Sequence, residues 1–531
     1  MIGPSGKPAR LHRHHKNAGG HTVSIRLVLV SALGIAAFTA AFHASAATPC
    51  ERLTAAKLDG AVVTAAQLVP EGPAPKSPFP GSVAPMLPAH CSVLLDLKPS
   101  PDSLIKMEMW LPAAAGWNGK FMAAGNGGFA GEIQGKYNGM PEALAAGYAT
   151  AGTDTGHQEA GGKWAIGHPE KMIDFAYRAT HEMTLKAKQL VTLFYGRTAQ
   201  RSYYSSCSTG GRMGVMEAQR YPDDYDGIVA GALANRHIHM WASGLASGVD
   251  QLRRPEGVLS SEQAALVNDL VTRNCDTLHE GFLNDPHQCK VDFSTLRCPA
   301  GQAGGACLTD AQLETVATFY GGVRNAKREL IFSGAPLGRP IGGRTGTPTA
   351  EEVRKQLDAG MNNLFDLVRI ARNDSSLDWA TFDVDRDVPL LDQKIGFVDA
   401  VNPDLRRFKA HGGKLLLYHG WADPGITPEN TILYYESVLQ SMGPEQGDWL
   451  RLFMLPGMGH CRGGPGVNGF DSTHALEQWV EKRIAPTTLL GKGANGLTRP
   501  LCPYPQHAEY HGSGDLKDAK NWSCKAPAGN K

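Results

Sequence analysis

Tyr204-Ser205-Ser206-Cys207-Ser208-Thr209-Gly210-Gly211-Arg212 is the stretch on which the fold turns. Arg201-Ser202-Tyr203-Tyr204 precedes it, short and aromatic, and reads as a strand. Met213 to Tyr221 follows and reads as a helix. A small-x-Ser-x-Gly turn between strand and helix is a nucleophile elbow, which lifts a serine hydroxyl above a sheet. The following helix aims its free N–H groups at the place where an oxyanion would form. The first small residue is Ser206 rather than glycine, and such strings also occur in ordinary loops.

Outward from the elbow, strand and helix patterns alternate. Cys91–Leu97 and Ile105–Leu111 alternate apolar and polar residues as hairpin strands do. Trp117–Ala124 is a further strand, Ala143–Tyr148 a short helix, and Ala149–His157 a strand and loop. Phe175–Tyr195 carries apolar residues at helical spacing, and Asp226–Gly231 is the strand after the elbow helix. This order predicts a mostly parallel sheet covered by helices on both faces. From 235 to 402 the pattern changes to helical stretches mixed with long Gly/Pro-rich loops, read as an inserted lid domain. The core then resumes over 403–531, with Lys414–Gly420 and Arg451–Leu455 as buried strands; its first part is 47–234. The stretch between Cys50 and Cys91, rich in Ala and Pro, is expected to be a loose arm.

A basic stretch ending at Arg26, an apolar run from Leu27 to Phe42 and Ala44-Ser45-Ala46 together predict a secretory signal over 1–46. The run is short for a membrane anchor, and no later stretch is long and apolar enough to span a bilayer. Five of the 52 Lys and Arg residues, and none of the 51 Asp and Glu, lie before residue 47, so the remainder has a small acidic excess. Nothing in that balance points to nucleic acid. All ten cysteines follow the signal, an even count that suggests a disulfide framework in a secreted or periplasmic chain. None shows C-x-x-C spacing, which argues against zinc.

A serine nucleophile needs a base, and the base an orienting group. Asp423 lies just after the Lys414–Gly420 strand, and His460 just after Arg451–Leu455. Both sit where open α/β sheets build their sites. The order Ser208, Asp423, His460 is that of α/β-hydrolases. Cys207 precedes the serine and Cys461 follows the histidine, so a working triad would bring the two sulfurs within bonding reach. Gly125-Asn126-Gly127-Gly128 after a strand reads as a flexible turn or as the second half of an oxyanion hole. A phosphate cradle lacks its Lys-Ser/Thr.

At these residues the sequence resembles the tannase and feruloyl esterase family. The resemblance rests on Cys207-Ser208-Thr209-Gly210-Gly211-Arg212, Tyr221-Pro222-x-x-Tyr225-Asp226-Gly227, Tyr418-His419-Gly420-x-x-Asp423, Pro456-Gly457-Met458-x-His460-Cys461 and Arg499-Pro500-Leu501-Cys502-Pro503-Tyr504-Pro505. It implies an α/β-hydrolase core with a lid, and hydrolysis of small-molecule carboxylic esters of aromatic acids without a catalytic cofactor. It also implies an oxyanion hole from the N–H groups of Thr209 and Gly128, and the pairs Cys50–Cys91, Cys207–Cys461, Cys275–Cys289, Cys298–Cys307 and Cys502–Cys524. Relatives of this kind include hydrolases of mono(2-hydroxyethyl) terephthalate, an alternative substrate. A reading from another class is a non-catalytic surface-binding protein of the same fold, against which the intact Ser208, Asp423 and His460 argue. Family members often bind structural calcium in a loop opening Cys-Asp. Here Cys275–Pro286 is about three residues shorter, leaving Asp276, Glu280 and Asp285 as oxygen donors. Trp421, Ile426, Trp241, Phe332 and Trp379 are candidates to pack on a substrate ring or, equally, in the core.

Overall fold

In a computed structural model, residues 50–77, 84–129, 131–159, 161–302, 304–359 and 364–527 are described. The signal expected over 1–46 lies outside them. Nine strands form one sheet: β1 (Ala61–Val69), β2 (His90–Leu97), β3 (Ile105–Pro112), β4 (Lys120–Ala124), β5 (Ala149–Thr153), β6 (Arg201–Cys207), β7 (Gly227–Gly231), β8 (Lys414–Gly420) and β9 (Leu450–Leu455). Their spatial order is 1-2-3-5-4-6-7-8-9. The first three strands and the β3–β5 junction are antiparallel, and from β5 to β9 every pairing is parallel. This is the mostly parallel sheet of an α/β-hydrolase.

Burial on both faces explains the apolar runs of the central strands. Leu415 and Leu417 of β8 face one core with Ile228, Ala230 and Leu452, whereas Leu416 faces another with Val229 and Phe453. On the first face pack α1 (Ala179–Tyr195) through Met183 and Leu190, and α2 (Thr209–Arg220) through Met213 and Val215.

Between β7 and β8 the chain makes a long excursion. It includes α3 (His237–Arg253), α4 (Ser261–Cys275), α5 (Asp310–Gly321), α6 (Val384–Ile395) and a short hairpin of Val323–Arg324 with Leu330–Phe332. After β8 come α7 (Pro428–Met442) and, after β9, α8 (Ser472–Lys482). Ile432 of α7 joins the first core, and Leu476 and Trp479 of α8 join the second. Serine and threonine caps start α4 and α5: Ser260 and Thr309 each accept the N–H of a glutamine three residues on.

The arm between Cys50 and Cys91 is not loose as expected. Its Ala61–Val69 segment is the outer strand of the main sheet, paired antiparallel with β2. A register shift between Val63 and Ala65 breaks the strict alternation, and only Val63 and Ala66 are buried, so the strand period is faint in the sequence.

Candidate active site

β6 ends at Cys207 and α2 begins at Thr209, leaving Ser208 alone in the turn with φ 66° and ψ −129°. A non-glycine residue there is strained, and the surroundings hold it. Its N–H donates to the Gly231 carbonyl at 3.0 Å, and its carbonyl accepts from Arg212 N at 3.1 Å and Ala234 N at 3.3 Å. The neighbours are small of necessity. A Cβ on Gly210 would lie 2.0 Å from Ser206 Oγ, and one on Gly211 2.4 Å from the Gly231 oxygen. Arg212, wholly buried, ties α2 to the carbonyls of Ala176 at 2.7 Å, Phe175 at 3.1 Å and Val398 at 3.0 Å.

Asp423 is fully buried beyond the end of β8. One carboxylate oxygen, Oδ1, accepts the N–H groups of Gly425 at 2.7 Å and Ile426 at 2.9 Å. The other, Oδ2, meets two imidazoles: His460 Nδ1 at 2.8 Å and His419 Nε2 at 3.1 Å. Burial opposes ionisation, but hydrogen bonds and charge from His419 and His460 outweigh it and hold the carboxyl well below the usual carboxylate range. An anionic partner at Nδ1 of His460 fixes the tautomer that leaves Nε2 free to accept a proton.

His419 has no role assignable from sequence, although it stands in the Tyr418-His419-Gly420 motif. Its Nε2 lies 3.1 Å from both Asp423 Oδ2 and the Ile426 carbonyl, two acceptors, so that nitrogen carries a proton. Thr431 Oγ1 sits 2.7 Å from its Nδ1 and also accepts the Leu233 N–H at 3.2 Å. A buried His419, hydrogen-bonded at both ring nitrogens, thus sits behind Asp423.

The turn after β4 packs on the elbow. A Cβ on Gly125 would lie 2.1 Å from the Tyr204 hydroxyl and 2.9 Å from Gly210 Cα. Asn126 donates to the Thr153 carbonyl at 2.6 Å, and the Gly127 N–H reaches Gln134 Oε1 at 2.8 Å. Gly128 follows with φ +57°, a conformation that glycine adopts without cost. Thr209 is the first residue of α2, where the leading N–H groups lack intrahelical acceptors.

Five disulfides are present: Cys50–Cys91, Cys207–Cys461, Cys275–Cys289, Cys298–Cys307 and Cys502–Cys524. The second joins the residue before Ser208 to the residue after His460 across 254 positions of sequence. The five candidate ring-packing side chains are buried at 8 % exposure or less. Trp421 lies in the main core, and Trp241, Phe332, Trp379 and Ile426 in the cluster between the core and the inserted segment.

The shortened Cys275–Pro286 loop does not fit a calcium ion. Both Asp276 oxygens face loop N–H groups, Glu280 at 3.0 Å and Gly281 at 2.8 Å. Glu280 bonds Arg499 Nη2 at 2.6 Å and Asn284 at 2.8 Å, while Asp285 accepts the His287 N–H at 3.0 Å. These oxygens are turned to protein donors rather than converging as the six to eight that calcium takes.

A doubly covered, mostly parallel sheet with a strained serine at its strand–helix turn, and an Asp–His pair beyond two neighbouring strands, defines an α/β-hydrolase-type molecule. The profile of the tannase and feruloyl esterase family matches residues 91–525. An uncharacterised esterase of Xanthomonas campestris is 34% identical, with 94% of this chain and 95% of that protein covered. A probable feruloyl esterase B-2 of Aspergillus terreus is 34% identical over 82% of this chain and 86% of its own. Among solved structures, feruloyl esterase B from Aspergillus oryzae superposes with a TM-score of 0.78 at 30% identity, covering 90% of this chain and 99% of that one. The chain belongs to the tannase and feruloyl esterase family and is a carboxylic ester hydrolase.

Proposed function

We propose that the chain is an exported serine esterase that cleaves esters of phenolic acids. Ser208 Oγ attacks the ester carbonyl carbon while His460 Nε2 takes its proton. His460 then hands that proton to the departing alcohol oxygen, leaving an acyl-enzyme. Water, deprotonated by the same nitrogen, attacks the acyl carbon, releases the phenolic acid and returns the proton to Ser208. Asp423 keeps the His460 tautomer and stabilises the imidazolium. The N–H groups of Thr209 and Gly128 receive the negative oxygen of each tetrahedral intermediate. The 235–402 segment serves as a lid over the acyl group.

The observation that carries this reading is the 2.8 Å contact of His460 Nδ1 with a buried, strongly acidic Asp423, on a loop disulfide-linked to the Ser208 elbow. The substrate class rests on the family and on relatives named as feruloyl esterases. Export is supported by five disulfides, which persist in oxidising compartments. Among the described residues no helix is long and apolar enough to cross a membrane.

The test is a panel of methyl ferulate, methyl gallate, chlorogenate and mono(2-hydroxyethyl) terephthalate, run with wild type and Ser208→Ala. The phenolic esters should turn over, and Ser208→Ala should lose several orders of magnitude in kcat with its melting temperature kept. A variant retaining more than about a tenth of the wild-type rate would remove Ser208 from the chemistry. Turnover of the terephthalate ester alone would reassign the acyl group.

A further inference from the structure

A cavity of about 770 Å³ opens within the inserted segment, between α3, α5, the Val323–Arg324/Leu330–Phe332 hairpin and the turn at 341–344. None of Ser208, Asp423, His460 or Gly128 lines it. Its charge is lopsided. Arg253, Arg254, Arg324, Arg328 and Arg344 line it against two carboxylates, Asp250 and Glu314. Both carboxylates are engaged by one arginine: Arg254 donates to Asp250 at 2.7 Å and pairs with Glu314.

Three of the other guanidiniums bond neutral acceptors. Arg253 reaches the carbonyls of Ala380 at 3.1 Å and Phe382 at 2.7 Å. Arg324 reaches the Arg328 carbonyl at 2.9 Å, and Arg344 the side chain of Gln356. Neutral acceptors satisfy hydrogen-bonding geometry without neutralising Arg253 or Arg324, while Arg344 is also within electrostatic reach of the exposed Glu352. Two further carboxylates hold the hairpin turn without lining the cavity, Glu329 through Asn325 and Asp385 through the Ala326 N–H. Gln251 also lines the cavity, and its buried Oε1 has no hydrogen-bond partner among the described residues. A buried acceptor of that kind calls for a donor such as a hydroxyl.

The arginines come from three separate elements: a helix, a hairpin and a turn. Guanidiniums presented from three elements suit a chain with several spaced anionic groups better than a single carboxylate. The volume suits more than a single ring. The protein as a whole, with 52 basic and 51 acidic side chains, lacks the broad excess of positive charge on which nucleic-acid binding depends. We propose that this cavity binds a short anionic oligosaccharide, with its acidic groups paired to Arg324, Arg328 and Arg344 and a hydroxyl donated to Gln251 Oε1. The inference is independent of the ester chemistry proposed for Ser208, because it is read by binding rather than turnover.

Calorimetric titration of the full chain with an oligogalacturonide, a heparin-derived oligosaccharide and a neutral xylo-oligosaccharide of equal length tests it. At least one anionic sugar should bind, with affinity that falls as salt is raised, and the neutral sugar should not. Binding of the first or the second tells a uronate from a sulfate ligand. The exposed pair Arg324→Ala with Arg328→Ala should weaken binding at least about tenfold, with melting temperature and small-ester hydrolysis unchanged. Arg344→Gln, which leaves the hairpin intact, should weaken it in the same direction. The proposal is overturned if neither anionic sugar binds, if the neutral sugar binds equally, or if the double variant binds as wild type does.

Discussion

Asp423 carries more hydrogen bonds than its neighbour in the site needs for orientation alone. Two backbone N–H groups and two imidazoles converge on its carboxylate, and removing one imidazole should be felt by the other. His419→Ala deletes a donor to Oδ2 and leaves the Ile426 carbonyl and Thr431 hydroxyl without their partner. The Asp423 carboxyl then moves up toward its ordinary range, and the carboxylate is freer to turn from His460. The expected result is a fall in kcat of about tenfold or more with KM little changed, since misplacement costs rate steeply. His419→Gln keeps an N–H donor in reach of Oδ2 and should recover part of the lost kcat. An unchanged kcat in the alanine variant would mean that the second histidine only fills space. At this scale Ser208, Asp423 and His460 are legible as candidates because each follows a recognisable strand. His419 is not, because a histidine inside a strand gives no sign of the carboxylate four residues on.

The elements that hold these residues meet through the Cys207–Cys461 bond, which spans the elbow and the histidine loop. Without it, packing alone would set their separation. Cys207→Ala with Cys461→Ala should reduce kcat more than it raises KM, and should cost roughly 2–5 kcal/mol of stability, the usual range for a native disulfide. Equal loss in kcat/KM through KM alone would place the bond's role in substrate binding instead. The loop at Cys275 makes a second case. Arg499, fully buried and 3.4 Å from the Trp522 ring centre, supplies the positive charge beside Glu280. A chelator should therefore leave melting temperature and activity nearly unchanged, whereas Arg499→Met strands a buried carboxylate and should cost about 3–5 kcal/mol. A large chelator effect would show that a metal, not the guanidinium, balances this loop. The shortened loop is visible in the sequence, but its partner is not, since Glu280 and Arg499 are far apart in the chain. The outer strand Ala61–Val69 escapes sequence reading for a related reason: its shifted register blurs the two-residue period by which strands are recognised.

For the whole molecule, the alternation of strand and helix gives away the sheet in outline, because central strands buried on both faces must be apolar throughout. The pH dependence of stability is hidden, because it depends on burial that sequence does not report. Asp154 and His157, on one loop after β5, act in opposite senses. Burial pushes the Asp154 carboxyl up to about 7, although the Gly156 and Lys106 N–H groups favour its ionised form. Burial pushes His157 down to about 4, although its contact with the Phe129 carbonyl favours the charged ring. For the raised carboxyl, the unfolded chain releases its proton first, so stability is lost as pH climbs from about 4 to about 7. For the lowered imidazole, the unfolded chain binds a proton that the folded chain refuses, so stability is lost as pH drops from about 6.5 to about 4. Over their shared window the two slopes oppose each other, and the pair contributes little net dependence. Asp154→Asn keeps Oδ1 as acceptor for Lys106 N, at 2.9 Å, and Gly156 N, at 2.8 Å, while removing the ionisation. Its melting temperature should fall more steeply than wild type between about pH 6.5 and 4.5, where the His157 slope acts alone. Near pH 8 the variant should gain on the order of 2–4 kcal/mol relative to its standing at pH 4, since a tenfold change in proton affinity between folded and unfolded chain is worth ~1.4 kcal/mol. His157→Phe, which can still stack on Trp164, should show the mirror result, with stability declining from about pH 4.5 to 7. Parallel melting curves for wild type and Asp154→Asn across that range would place the carboxyl's titration at its ordinary value and remove the compensation between the two groups.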